Sequence, residues 1–196
     1  MPERFIIVCP LFRRELDVLR AEGRLGGAQL ETLQRSCDPG VSARVKLGAT
    51  IEHRAASRPC TLCLGGECLR GVTVSPLVAE RVRIFAPPTC FELLAPSELV
   101  DRLIAQGSYL VTPGWLGQWR SFLAEWGLDR ETARLLFRES ARRVVLLDTG
   151  VRADVVDLLA EFADYIGLPC EVVPVGLEHL AQTLAGLAPQ GEGSSF

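Results

Sequence analysis

Lysine occurs once in this chain, at Lys46, although lysine and arginine together number 21. That scarcity leaves no P-loop lysine to hold a nucleotide phosphate, and it gives a Schiff-base mechanism one residue on which to act. A basic excess is missing as well. The 21 cations stand against 24 acidic residues, for a formal net charge of −3. Nucleic-acid binders carry a clearly basic balance or stripe, so nucleic acid is not an expected partner. Long apolar runs are also lacking. The longest, Phe5 to Cys9 with Leu11 and Phe12 beyond Pro10, falls far short of the roughly 20 residues that span a bilayer. No basic stretch and cleavage site frame it as a signal peptide, and a cytoplasmic protein without membrane association is expected. Finally, there is no Ser-His-Asp arrangement, paired-carboxylate motif or complete dinucleotide fingerprint, so no catalytic residue is assigned. His53 and His179 fall in helical stretches and read as surface residues.

What is present suits a self-sufficient core. With 196 residues, 48% of them hydrophobic, one domain of this size buries roughly 70% of its unfolded surface. Short β-rich runs alternate with longer helical ones. Strands are expected at Arg4–Cys9, weakly within Ala28–Cys37, at Pro59–Leu64, Arg81–Phe85, Ser108–Val111, Val144–Leu147 and Glu171–Val175. Helices are expected at Leu11–Glu22, Val41–Ala56 despite Gly48, from Ser97 as N-cap to Ala105, Trp115–Trp126, from the Asp129 cap to Arg143, Arg152–Ile166 and Leu177–Leu187. Turns are marked by Gly26–Gly27 and by Asp38-Pro39-Gly40.

This rhythm predicts the α/β class: a single-domain, mostly parallel, doubly wound (Rossmann-like) sheet with helices on both faces. The domain is expected to span residues 1–188, with 189–196 as a flexible tail. Ligands of such sheets bind beyond the carboxyl ends of the strands, where strand order reverses. The residues at strand tips are therefore the candidates.

Seven cysteines, an odd number without a secretory signal, do not read as a disulfide framework. Cys37 and Cys170 lie beside strands and read as small packing residues, and Cys60 lies inside a strand facing the core. Cys9, Cys63, Cys68 and Cys90 fall at or just after three strand tips. Parallel neighbours run about 4.8 Å apart, so thiols on adjacent tips can converge on one ion or cluster. Soft thiolates select zinc, copper(I) or iron–sulfur clusters, and three of them leave a coordination position open. Gly65 and Gly66 let backbone approach a ligand closely, and with Thr112, Gly114 and Asp148 they are the candidate ligand-lining residues. Each has a plainer reading. Thr112-Pro113-Gly114-Trp115 makes a rigid turn, Asp148-Thr149-Gly150 a strand-to-helix turn, and Trp115 and Trp119 pack.

At these same tips the chain resembles the family known as domain of unknown function 1638, of methanogens and anaerobic bacteria. The similarity is carried by Ile6-Ile7-Val8-Cys9 with Glu15 downstream, Cys90 before Leu93-Leu94, Tyr109-Leu110-Val111-Thr112-Pro113-Gly114-Trp115, and Leu147-Asp148-Thr149-Gly150. In that family one cysteine closes the first strand, a second lies in a glycine-rich turn, and a third precedes a leucine-rich helix. Cys9 and Cys90 match the first and third. At the second the chain departs: Gly65 takes the cysteine's place between Cys63 and Cys68, and Leu62 that of a tyrosine. Pro87, Pro88 and Thr89 replace the polar residues usual before the third cysteine. The resemblance implies a role accessory to corrinoid-dependent methyl transfer, with a corrinoid protein or methyltransferase as partner. Two readings follow: a metal, zinc or iron–sulfur site on Cys9, Cys63, Cys68 and Cys90, or a metal-free small-molecule-binding or protein-interaction module whose cysteines are structural.

Overall fold

The computed structural model describes residues 5–25, 29–33 and 41–187. Cys37, the Gly26–Gly27 and Asp38–Gly40 turns and the expected tail lie outside these residues. The chain divides into two compact units, Met1–Leu93 with Leu180–Phe196, and Leu94–His179.

In the first unit β1 (Phe5–Val8) leads through a 3-10 turn (Pro10–Phe12) into α1 (Arg13–Ala21). Then follow β2 (Gln29–Thr32), α2 (Val41–Ser57), β3 (Cys60–Cys63), the one-turn helices α3 (Gly66–Leu69) and α4 (Pro76–Ala79), β4 (Val82–Phe85) and a second 3-10 turn, Cys90–Leu93. The strands form one parallel sheet in the order β2-β1-β3-β4. The two inner strands are buried along their whole length, as the unbroken apolar runs predict for a parallel sheet covered on both faces. Burying a side chain such as Phe5 or Ile7 contributes about 1.5–3 kcal/mol. The outer strand β4 alternates arginine with apolar residues and stays half open.

Gly48 sits inside α2 because another segment lies against it. A Cβ there would stand 2.7 Å from the Thr73 carbonyl oxygen, closer than any side chain tolerates. The sequence pattern alone reads this glycine as a weakness in the helix. The structure makes it the point where the loop from α3 to α4 packs.

The second unit runs α5 (Ser97–Ala105), β5 (Ser108–Val111), α6 (Pro113–Leu116), α7 (Trp119–Glu125), α8 (Arg130–Ser140), β6 (Arg143–Asp148), α9 (Val155–Ile166) and β7 (Cys170–Pro174). Its sheet is parallel, ordered β5-β6-β7, with Val144–Leu147 fully buried in the middle. α10 (Glu178–Leu187) follows, and from Leu180 it belongs to the first unit. Asp129 caps α8 as expected, its carboxylate accepting from Thr132 N at 2.8 Å. In α9 the buried Val155, Leu159, Phe162, Ala163 and Ile166 recur at helical spacing, and Gly167 ends the helix. Aromatic rings knit the unit together, among them Tyr109 on Phe137 (centroids 4.8 Å apart) and Trp115 on Phe162 (5.0 Å).

The α/β class and the Rossmann-like parallel pairing are as expected, and every described ladder is parallel. Three local expectations are corrected. Trp115–Trp126 is two helices, because Gln118 at φ −131° leaves the helical region between α6 and α7. Ser97 is the first residue of α5, and Pro96 takes the N-cap position. Cys170 opens the outer strand β7 and is exposed, so it is not a packing residue. Among the described residues no helix is long and apolar enough to cross a membrane.

Candidate functional site

The order β2-β1-β3-β4 puts the chain's reversal between β1 and β3. One connection leaves β1 for β2 on one side, and the next crosses back to β3 on the other. The crevice beyond such a pair is where α/β sheets bind ligands. Val8 is in register with Cys63, and Cys63 with Phe85. Cys9, the residue after Val8, therefore emerges beside the end of β3. The β3 tip is tied to the segment after β4 by Leu64 N donating to Phe85 O (3.3 Å) and Gly66 N to Pro87 O (2.7 Å). These bonds carry the chain to Cys90, while Cys68 N donates to Gly65 O (2.9 Å) at the start of α3.

Gly65 is where two backbones touch: a Cβ there would lie 2.6 Å from Cys90 N and 3.0 Å from the Thr89 carbonyl carbon. The glycine in the middle turn thus has a packing cause that the sequence could not display. Thr89 N also donates to Glu92 Oε1 at 3.1 Å, which fixes the turn bearing Cys90. The Thr89-x-x-Glu92 spacing is a capping-box signature. The spacing is visible in the sequence and is the signal that marks this turn.

Cys9, Cys63, Cys68 and Cys90 thereby share one end of one sheet. Cys9 and Cys63 are 2% and 0% exposed, while Cys68 and Cys90 are half-buried. They are close enough to act on each other electrostatically. Burial pushes the Cys63 thiol up to about 12, with Cys9 adding to the effect. Cys68 is pushed up to about 11, first by burial and then by Cys9 and Glu67. Cys90 is raised by burial and then by Cys9 and Cys68, against a smaller opposing pull from its own backbone N–H. At neutral pH these three are thiols rather than thiolates, the form that is weak both as nucleophile and as metal ligand. Cys60, buried at the other end of β3, is raised by its own burial, which Arg81 partly offsets. No disulfide joins the described cysteines.

The set is chemically suited to a soft metal, being all sulfur. Geometrically it is not assembled. Among the described residues no group of three or more histidine, cysteine, aspartate or glutamate side chains is placed to hold a metal ion.

Of the candidate lining residues, Gly65 and Gly66 belong with these cysteines in the first unit. Thr112, Gly114 and Asp148 belong to the second unit, at the ends of β5 and β6. Thr112, 2% exposed, accepts from Trp115 N at 3.2 Å and so caps α6, of which Gly114 is the second residue. Asp148 Oδ1 accepts from Gly150 N at 2.9 Å, closing the turn toward α9. Their polar groups are engaged in turn formation. His53 lies exposed on α2, where it shares a hollow with Thr32 and Leu33 at the end of β2, and His179 is half-buried on α10.

No curated protein and no solved structure matches the chain. A family model does, that of the proteins of unknown function designated DUF1638, over residues 44–184. The matched span holds Cys63, Cys68, Cys90, Thr112 and Asp148, whereas β1 and Cys9 precede it, so Cys9 is tied to the site by strand pairing and by its proximity to the other thiols. The match takes in well over half of the 196 residues, and the chain belongs to the DUF1638 family.

Proposed function

We propose that Cys9, Cys63, Cys68 and Cys90 form a binding site for a soft metal ion or an iron–sulfur cluster at the β1–β3 reversal. One observation carries this reading. Sulfur groups gather at the ligand-binding end of a parallel sheet, and among the described residues no cation is one of the charged groups acting on Cys63, Cys68 or Cys90. Each thiolate would raise its neighbours, so a bound cation is what would let them ionise together. Zinc and iron–sulfur clusters are the occupants that such donors favour. Binding has to draw the sulfurs inward, and Cys68 on the one-turn helix α3 has the least structure to move. Metal uptake then releases protons and strengthens as pH rises. A reducing, cytoplasmic setting keeps the thiols available.

The resemblance adds a methyl-transfer context with a corrinoid protein or methyltransferase as partner. That part of the proposal rests on the likeness alone. Co-purification from an anaerobic lysate, compared between wild type and Cys90→Ser, tests it.

The decisive experiment is anaerobic purification followed by metal and acid-labile sulfide analysis and a visible spectrum. Stoichiometric zinc, or iron with sulfide, that is lost in a folded Cys90→Ser variant supports the site. A folded, metal-free wild type that takes up neither zinc nor iron and sulfide on reconstitution overturns it.

A second reading has its own observation, the absence of an assembled metal-holding group among the described residues. In it the thiols stay protonated and line a metal-free crevice for a small molecule or a partner surface. Thiol labelling separates the two. Metal-held cysteines become reactive only after chelation or cluster loss, whereas empty ones ignore the chelator.

A further inference from the structure

Among the described residues, the outer strand β4 ends the first unit's sheet with unpaired backbone groups and an arrangement of side chains that selects a partner. Cys60 N donates to Arg81 O at 3.0 Å and Leu64 N to Phe85 O at 3.3 Å, so the odd-numbered residues Arg81, Arg83 and Phe85 turn their backbone toward β3. Val82 and Ile84 then turn their N–H and C=O groups away from the sheet. Their side chains share the face that carries α2, α3 and α4. There Ile51, Leu62, Leu69, Val72, Val82 and Ile84 line an apolar hollow of about 120 Å³. Beside it Ile84 is 59% exposed and Leu77 of α4 is 84% exposed. On the opposite face Arg83 is exposed and makes no hydrogen bond or ion pair with the described residues.

Open strand edges are usually blunted by charge, by proline or by a covering element. Here charge is present on one face only, and the other face is apolar and hollow. A second copy of the chain does not suit this edge. An antiparallel pair that uses the outward groups of both Val82 and Ile84 sets Arg83 directly opposite its own equivalent, and like charges so placed repel. A strand bearing carboxylates on one face and aliphatic side chains on the other satisfies the arginine, the hollow and the open backbone groups together.

We propose that β4 is a docking edge that accepts, by strand addition, an extended segment of a partner protein alternating acidic and apolar residues. The outward edge of β4 is distinct from the thiols, which lie at and beyond the carboxyl ends of β1 and β3, so its success or failure does not depend on them.

The test uses the full-length protein and two capped synthetic peptides, one alternating glutamate with valine and one alternating lysine with valine. Fluorescence anisotropy at low and high salt reads binding. The expected result is several-fold tighter binding of the glutamate peptide, weakening with salt. Arg83→Glu should reverse the preference. Ile84→Pro, which removes an outward N–H while sparing the ladder to β3, should abolish binding with an unchanged far-ultraviolet spectrum. If Ile84→Pro unfolds the chain, Ile84→Lys replaces it, since it withdraws the apolar contact without touching the backbone. Equal binding of both peptides, no binding of either at millimolar concentration, or affinity indifferent to Arg83→Glu overturns the proposal. Concentration-dependent dimerisation abolished at this edge by the same variants overturns it in favour of a second copy.

Discussion

Gly65 and Cys90 meet backbone to backbone, with room for nothing more than a hydrogen on Gly65: a Cβ would stand 2.6 Å from the Cys90 amide nitrogen. The separation between the tip of β3 and the turn that carries a candidate ligand is therefore set by a missing side chain. The atoms in the way are main-chain atoms, which cannot swing aside as a flexible side chain does.

Gly65→Ala should accordingly destabilise the protein by about 1–3 kcal/mol, the usual cost of overpacking. A lowered urea midpoint checks the energy. Faster alkylation of Cys90 in the variant, with Cys63 unchanged, would locate the displacement at the turn.

At Cys63, which is fully buried, serine is expected to be worse than alanine. Alanine loses a sulfur's worth of packing, about 1 kcal/mol. Serine keeps a smaller γ atom but buries a hydroxyl, which costs about 1–3 kcal/mol where no partner is found. Equal stability of the two variants by urea denaturation would show that the site supplies the hydroxyl with a partner or water.

Stability should fall in alkali. Unfolded thiols ionise near 9.0, whereas Cys68 and Cys63 in the folded chain do so only near about 11 and about 12. Between these limits the unfolded state holds fewer protons than the native state, so unfolding becomes easier as pH rises from about 9 toward 12. Melting temperature measured across that range should decline, and the Cys63→Ala variant should decline less steeply. A flat profile would mean that the thiols titrate alike in both states.

Thr112→Val should cost about 1 kcal/mol, because the Oγ1 that accepts from Trp115 N is replaced by a methyl group of similar size. Chemical denaturation followed by tryptophan fluorescence is the direct measurement, since Trp115 follows the capped turn.

Much of the fold could be read in the sequence where burial writes itself in composition. Phe5–Val8 and Val144–Leu147 are unbroken apolar runs because both faces of these strands are covered. Val82–Phe85 alternates because it lies at an edge. α3 and α4, of four residues each, are too short to show a period, and the break at Gln118 is a single backbone angle within an otherwise helical pattern. The thiol cluster was legible residue by residue but not as an assembly. Cys9 and Cys63 meet only because β3 lies beside β1, an adjacency that strand order decides and that neither segment encodes alone. The close approaches at Gly48 and Gly65 were illegible for a related reason: the atom that demands glycine belongs to a distant stretch of chain, Thr73 in one case and Cys90 in the other.

The position of β1 in the middle of its sheet has a consequence for how the molecule is made. During synthesis Phe5–Val8 leaves the ribosome well ahead of Cys60–Cys63, the neighbour that covers its other flank. For that interval a wholly apolar strand waits with at most β2 beside it, its apolar surface open to aggregation. The sheet closes, and the tips that carry Cys9 and Cys63 come side by side, only once β3 has emerged. Any occupant of the thiol site must then arrive after translation has passed that point.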